Sequence, residues 1–162
     1  MATTDQTAFK RDILNADNNE QVTLILQKNL TNLIDLALLM KQAHWNVVGK
    51  NFRSIHLQLD EIIATVRDAS DEVAERMSTL GVAPDGRSAT VAQESDLKQY
   101  PREFVKVDET IRLVADATKT TIDSLRNAIE KTGDVDPITE DLLIAISGPL
   151  EKHLWMLQAQ EV

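Results

Sequence analysis

The sequence contains no cysteine and little glycine or proline. Without cysteine among its 162 residues, it can form no disulfide, no thiolate zinc site, no iron–sulfur cluster and no thiol nucleophile, and a reducing compartment is favoured. Five glycines and four prolines permit long helices. The longest apolar stretch, 33–40, contains Asp35 and is shorter than the roughly 20 residues that span a bilayer, and no secretory signal is visible. We therefore expect no membrane association and a cytoplasmic location, free or associated with the nucleoid.

Positive charge is also scarce. Seventeen Lys and Arg residues against twenty-six Asp and Glu residues give a net charge of −9, which is the wrong sign for a phosphate-binding surface. Near the N-terminus Lys10 and Arg11 are outnumbered by acidic residues, and residues 153–162 contain no Lys or Arg. This distribution argues against direct DNA binding. We divide the chain into a flexible acidic tail, 1–19, and a helical domain, 20–162.

Four apolar stripes with spacings of three and four residues predict four helices. The first ends near residue 49, the second covers about 55–80, the third begins with Phe104 and ends at Gly133, and the fourth opens with Asp136 as N-cap and Pro137 at the first helical position. Residues 81–102 form a long crossover with a short helical turn near 96–100. The fold class is therefore all-α, a four-helix bundle without strands. Gly148-Pro149 predicts a kink at 145–149, or two helical pieces.

Two histidines flank the turn between the first two helices. His44 and His56 are equally distant from residue 50, so an antiparallel hairpin places them at the same depth. On the second helix, Asp60, Asp71 and Glu75 lie within about 100° of His56 around the helix axis. All of these side chains can therefore face one side of the hairpin.

One chain cannot bring all of these donors to one ion. Asp60 and Asp71 are eleven residues apart, about 16 Å along a helix, whereas metal–ligand bonds are about 2 Å long. His56 and Glu75 are equally far from the point between residues 65 and 66, and so are Asp60 and Asp71. If two copies of this helix pair antiparallel across a two-fold axis at that point, His56 faces Glu75 of the other copy and Asp60 faces its Asp71. A dimer would then hold two equivalent sites, each with histidines from one subunit and Asp71 and Glu75 from the other.

The donor types indicate the metal. Imidazole with carboxylate suits a divalent first-row transition metal, whereas an all-oxygen set would suit calcium or magnesium. Iron(II) is the best candidate, because a carboxylate-rich set favours the harder Fe(III) and therefore assists oxidation. Zinc or manganese could occupy the same ligands, since the affinity order alone does not select iron.

The run Lys41-Gln42-Ala43-His44-Trp45-Asn46, followed by Gly49, Asn51-Phe52, His56, Asp60, Asp71 and Glu75, resembles the Dps family of mini-ferritins. The resemblance covers about residues 20–158. It implies a ferritin-like bundle with a short helix in the crossover between the second and third helices, assembled as a hollow dodecamer. It also implies a ferroxidase site between two-fold-related subunits, which oxidises Fe(II) preferably with hydrogen peroxide and stores ferric oxide in the cavity, protecting cell and DNA.

The family's residue roles carry over onto matching positions of this sequence. The resemblance assigns the five ligands to His44, His56, Asp60, Asp71 and Glu75, and makes Trp45 a candidate electron donor or radical quencher. The alternative for Trp45 is a packing residue. Asp116, Asp123 and Arg126 have the spacing found around the family's acidic three-fold pores, which would attract Fe(II), although any exposed helix face can produce this spacing.

Other functions predict different features. Larger ferritins use Glu-x-x-His pairs within one bundle, but Lys41, Arg53 and Leu150 stand three residues before the three histidines. A non-specific DNA-compacting protein, or a structural shell whose sites hold zinc, are the alternatives to the ferroxidase. His153 satisfies neither the face condition nor the pairing condition, so we interpret it as structural.

Overall fold

The structure is a computed structural model that describes residues 9–162. Its regular elements, in the described part of the chain, are five helices and two very short strands. They are α1 (Ala16–Asn46), β1 (Val47–Val48), α2 (Phe52–Thr79), α3 (Ser88–Glu94), β2 (Val105–Lys106), α4 (Val107–Thr132) and α5 (Pro137–Gln158).

The four long helices form the predicted bundle. α1 packs along α2 and α4 along α5, and contacts of α1 with α4 and of α2 with α5 complete it. Each helix buries most of the stripe that its sequence pattern indicated, with Leu33, Leu59, Leu125 and Leu150 fully removed from solvent. This apolar burial is the main stabilising contribution to the fold. The all-α class is confirmed.

The turn between α1 and α2 lies about three residues earlier in the chain than the sequence suggested. α1 ends at Asn46 rather than near residue 49, and α2 begins at Phe52 rather than residue 55. Gly49 has φ +116° and Asn51 has φ +63°, a region of backbone space that glycine and asparagine tolerate best. These two residues reverse the chain and set His44 beside His56.

The short crossover helix was misplaced by the sequence analysis. It is α3, Ser88–Glu94, and not residues 96–100. Asp96 instead ties the crossover to α1: its carboxylate accepts hydrogen bonds from Lys28 (2.7 Å) and Asn32 (3.1 Å). Its backbone N–H donates to the Asn32 side chain at 3.0 Å. These tertiary bonds stabilise a non-helical segment at this position.

The absence of strands was also a wrong expectation. β1 and β2 form a two-residue parallel ladder in which Val47 pairs with Val105 and Val48 with Lys106. This pairing holds the end of the crossover against the α1–α2 turn. It also explains why Phe104 does not begin the third stripe: α4 starts at Val107, and Phe104 is 74% exposed.

Helix α5 contains Pro149 without breaking. It runs continuously from Pro137 to Gln158, so the expectation of two helical pieces was wrong. Pro149 cannot donate to the carbonyl of Ala145, but both residues are exposed, so water can satisfy that acceptor. At the start of α5, Asp136 and Pro137 occupy the predicted N-cap and first helical positions.

Helix α1 begins before residue 20. α1 begins at Ala16 and is capped by Asn15, whose side chain accepts from the N–H of Asn18 at 2.9 Å. The first eight residues of the proposed tail lie outside the described part. By length and apolarity alone α1 could cross a membrane, but 61% of its most apolar window is buried inside the bundle, as expected of a core helix.

Candidate functional site: a histidine clasp and a distant carboxylate pair

The histidines of α1 and α2 hold each other by reciprocal hydrogen bonds, an arrangement we call the histidine clasp. Nδ1 of His44 lies 2.8 Å from the carbonyl oxygen of His56, and Nδ1 of His56 lies 2.9 Å from the carbonyl oxygen of His44. The two rings stack with centroids 3.6 Å apart. Because a carbonyl oxygen only accepts, each Nδ1 must carry its proton. In this tautomer, Nε2 of each ring is the nitrogen whose lone pair is left for a ligand.

The position of the clasp follows from the local fold. His44 is in the last turn of α1, where backbone carbonyls have no helical donor, so its carbonyl is available to His56. The His44 side chain is only 8% exposed, and Phe52 contacts the His56 ring edge-on. Both imidazoles are thus fixed in orientation before any ligand arrives.

Asp60 lies beside the clasp and carries a further partner that the sequence did not reveal. Its Oδ1 is 3.4 Å from Nδ1 of His44 and 2.7 Å from the ammonium of Lys41. The Lys41 hydrogen bond lowers the pKa of Asp60, against a smaller opposing contribution from burial. Asp60 is therefore ionised at neutral pH. The signal for Lys41 was its place one helical turn before His44 on the same face of α1.

Asp71 and Glu75 form the second group, which we call the carboxylate pair. Both side chains are exposed on α2, one turn apart. Neither forms an ion pair in the described part of the chain. The eleven-residue separation on a continuous helix puts Asp71 about 16 Å from Asp60. The subunit therefore brings three of the predicted ligands together and leaves two apart.

The part of the subunit that the structure describes contains no complete metal site. Among residues 9–162, no three His, Asp or Glu side chains converge closely enough to hold an ion. The donor set nevertheless fits iron as a substrate: two oriented imidazole nitrogens and an ionised carboxylate in the clasp, with two further carboxylates on the same helix.

Trp45 lies on the surface of the subunit, whereas a packing role would place it in the core. It is 65% exposed and lines a groove of about 350 Å³ with Tyr100 and Lys98. It directly follows His44 in the chain. Trp45 is therefore not buried in the core of the subunit, and its role stays a prediction.

The predicted pore residues lie on α4 and already have partners. Asp116 is 3.3 Å from Arg112, and Asp123 is 2.5 Å from Lys119. Arg126 bonds Glu151 of α5 at 2.6 Å. Both aspartates are exposed, at 72% and 61% of their side-chain surface. The structure thus puts them on one accessible face, two helical turns apart.

Comparison with known proteins places the chain and its fold in one family. Residues 23–161 match the family model of the ferritin-like domain. The chain is 37% identical to the DNA protection during starvation protein of Mycolicibacterium smegmatis, covering 94% of this chain and 84% of that protein. It is 42% identical to the fine tangled pili major subunit of Haemophilus ducreyi, covering 83% and 71%. The solved tetragonal form of Mycobacterium smegmatis Dps superposes with a TM-score of 0.90 at 36% identity, covering 96% and 94%. The chain belongs to the Dps family of ferritin-like proteins.

Proposed function

We propose that this protein is an iron-sequestering ferroxidase. It would oxidise Fe(II), preferably with hydrogen peroxide, and store the ferric oxide inside a hollow homododecamer. The histidine clasp is the observation that carries the proposal. Backbone hydrogen bonds fix both imidazoles and leave Nε2 of each ring for a ligand. Metal-binding histidines require this arrangement, whereas packing in a core does not require it.

The chemistry balances with two ferrous ions and one peroxide. Each Fe(II) gives one electron, the O–O bond of hydrogen peroxide breaks, and two hydroxides form together with two ferric ions. Because both electrons reach one peroxide, no hydroxyl radical is released. Carboxylates favour this outcome, since hard oxygen donors stabilise Fe(III) over Fe(II).

Each complete site would use two subunits. In the proposed two-fold pairing of α2, the clasp and Asp60 of one subunit face Asp71 and Glu75 of the other. Zinc or manganese could occupy this site as competitors. Relatives carry the name DNA protection during starvation protein, and removing ferrous iron and peroxide protects DNA without contact. Direct DNA binding is not part of the proposal, because the first twenty residues hold two cations against four acidic residues, and residues 153–162 contain no Lys or Arg.

Anaerobic titration tests the activity. Fe(II) is added to the full chain without oxygen, hydrogen peroxide follows, and ferric absorbance is recorded. We expect saturable Fe(II) binding and rapid ferric formation after peroxide. No binding would contradict the proposal. Zinc binding with no ferric product would support the structural shell, and a salt-dependent DNA gel shift without oxidation would support the compaction protein.

Mixing of variants tests the shared site. His56→Ala removes one half of each site and Asp71→Ala removes the other half. When subunits of the two variants mix at random, half of the dimers are mixed, and each mixed dimer contains one intact site of two. Co-assembly should therefore restore about a quarter of the wild-type sites. Oxidation that stays at the level of the separate variants would show that each site belongs to one subunit.

A further inference from the structure

A second groove lies between α2 and α5, away from the histidine clasp. Its volume is about 510 Å³. The groove includes the Gly148-Pro149 pair, which the packing of the bundle does not require. A Cβ at Gly148 would meet no atom within 4 Å, so close packing does not explain the glycine. The residues lining it are Glu61, Gly148, Pro149, Lys152, His153 and Met156.

The hydrogen bonds around His153 favour one tautomer of its ring. The Thr65 hydroxyl, which has one hydrogen, is placed to donate to the carbonyl of Glu61 at 3.2 Å. Its oxygen can then accept from Nε2–H of His153 at 3.0 Å. Nδ1 is left with a bare lone pair, and it is buried with no hydrogen-bond partner in the described structure. Burial lowers the pKa of His153, so the ring stays neutral.

A ring nitrogen in this state matches what a metal ligand needs. Ligating histidines donate their second N–H to an oxygen, which fixes the ring and leaves the other nitrogen for the ion. Thr65 supplies that oxygen here. A buried nitrogen without a hydrogen-bond partner is otherwise unfavourable. A metal ion bound to Nδ1 of His153 would use its lone pair and remove this cost.

Met156 brings a second donor to the same place. It follows His153 by three residues on α5, so the two side chains are neighbours on one helix face. Both side chains line the same groove, and the three rotatable bonds of Met156 let its thioether change position beside the ring. Thioether sulfur selects soft ions, above all copper(I). Lys152 disfavours divalent ions more than a monovalent one, and the Glu61 carboxylate offsets its charge.

We propose that Nδ1 of His153 and the thioether of Met156 form a copper(I)-binding site, separate from the histidine clasp, with the carboxylate of Glu61 available as a third ligand. The occupant is the monovalent ion held by neutral nitrogen and sulfur donors. The role of Gly148-Pro149 is then to form the open, partly apolar wall of this site. The proposal does not depend on iron oxidation.

Competition with a chromogenic copper(I) chelator under anaerobic conditions tests the site in the full chain. Met156→Leu conserves volume but removes the sulfur, and should weaken binding at one site per subunit by roughly 100-fold. Thr65→Val keeps the shape but removes the hydroxyl, and should weaken it by about 10- to 100-fold. Zinc in excess should not displace the copper. Unchanged affinity in Met156→Leu would overturn the proposal.

The matched control is Met77→Leu, which changes a methionine that is 2% exposed in the core. It should bind copper(I) like the wild type, and an equal loss in this variant would contradict a specific site. Methyl-labelled methionine provides a second measurement on the unmodified protein. Copper(I) should shift the methyl signal that disappears in Met156→Leu. A signal that stays in place at saturation would also refute the site.

Discussion

The two ends of α2 use their polar side chains in opposite ways. At the N-terminal end, His56 and Asp60 are bound within the subunit, to His44 and Lys41. At the C-terminal end, Asp71 and Glu75 are exposed to solvent. The next residue, Arg76, does form a polar contact within the subunit. There Arg76 is bound to Asp136 of the α4–α5 turn at 2.7 Å, with both side chains largely buried.

This difference separates what holds the fold from what can bind a partner. Arg76 also donates to Thr139 at 2.9 Å, and Thr139 donates to Asp136, so the buried pair is saturated inside the subunit. The carboxylate pair contributes no such contact. Its two carboxylates repel each other, and no cation of the described part of the subunit pairs with them. We expect this when the neutralising groups come from a second subunit and from a bound metal ion. The following experiments test this division.

The largest effect is expected from the buried ion pair. Asp136→Asn leaves Arg76 charged, buried and without its counterion, which should lower the free energy of unfolding by about 3–5 kcal/mol. Urea denaturation measures this loss. Asp71→Asn, an exposed carboxylate change on the same helix, is the control and should leave stability nearly unchanged. Equal losses in the two variants would remove the distinction between the two kinds of polar group.

The same pair has a predicted pH signature. Burial raises the pKa of Asp136, but the hydrogen bonds from Thr139 and Arg76 together outweigh it, so the pKa lies below its ordinary value. Its contribution to stability is therefore complete above the ordinary carboxyl pKa near 4. It disappears as pH falls through the lower native value. The stability gap between wild type and Asp136→Asn should narrow only in that acidic range.

Iron oxidation should show the next largest effect, at the other kind of carboxylate. Asp71→Ala removes a proposed ligand that has no partner in the subunit, so peroxide-driven ferric formation should fall by roughly 100-fold. Unfolding and assembly should stay like those of the wild type. Stopped-flow absorbance and analytical ultracentrifugation measure the two properties. A variant that dissociates would make Asp71 mainly a contact residue.

The sequence predicted those parts of the fold that repeat a local pattern. The buried stripes of α1, α2 and α5 and the start of α5 at Pro137 follow from spacing and capping rules. Features formed by contacts between distant residues were missed: Asp96 with Lys28 and Asn32, and the pairing of Val47 with Val105. Local propensity contains no information about these partners.

The site shows the same limit. The spacing of residues in the sequence predicted that His44 and His56 lie at the same depth of the hairpin. It also predicted, from the rise of a helix, that Asp60 and Asp71 are too far apart to bind one ion. It gave no information on which ring nitrogen is protonated, because that depends on the backbone carbonyls of His44 and His56, which the packing of α1 against α2 brings to the two rings. Lys41 was missed for a similar reason, since its bond to Asp60 crosses between helices. The role of the carboxylate pair stays a prediction.

A smaller effect on stability distinguishes the clasp from the carboxylate pair. His44→Ala removes a stacked, nearly buried ring and leaves the carbonyl of His56 without that donor. It should cost about 2 kcal/mol of unfolding free energy and also abolish fast ferric formation. Thermal unfolding against Asp71→Ala measures the contrast. If His44→Ala were as stable as the wild type, the clasp would not be preorganised by the fold.

The smallest effect concerns the exposed face of α4. Asp123 lies within 2.5 Å of Lys119, but exposed pairs of this kind contribute little to stability. Asp123→Asn should leave unfolding nearly unchanged. If the face attracts ferrous ions, the variant should take up iron a few times more slowly at low ionic strength, and the difference should vanish in high salt because the field is screened. Initial ferric formation at two salt concentrations is the measurement, with Asp134→Asn as a control for the loss of one exposed charge elsewhere. A salt-independent difference, or an equal one in the control, would remove the pore assignment.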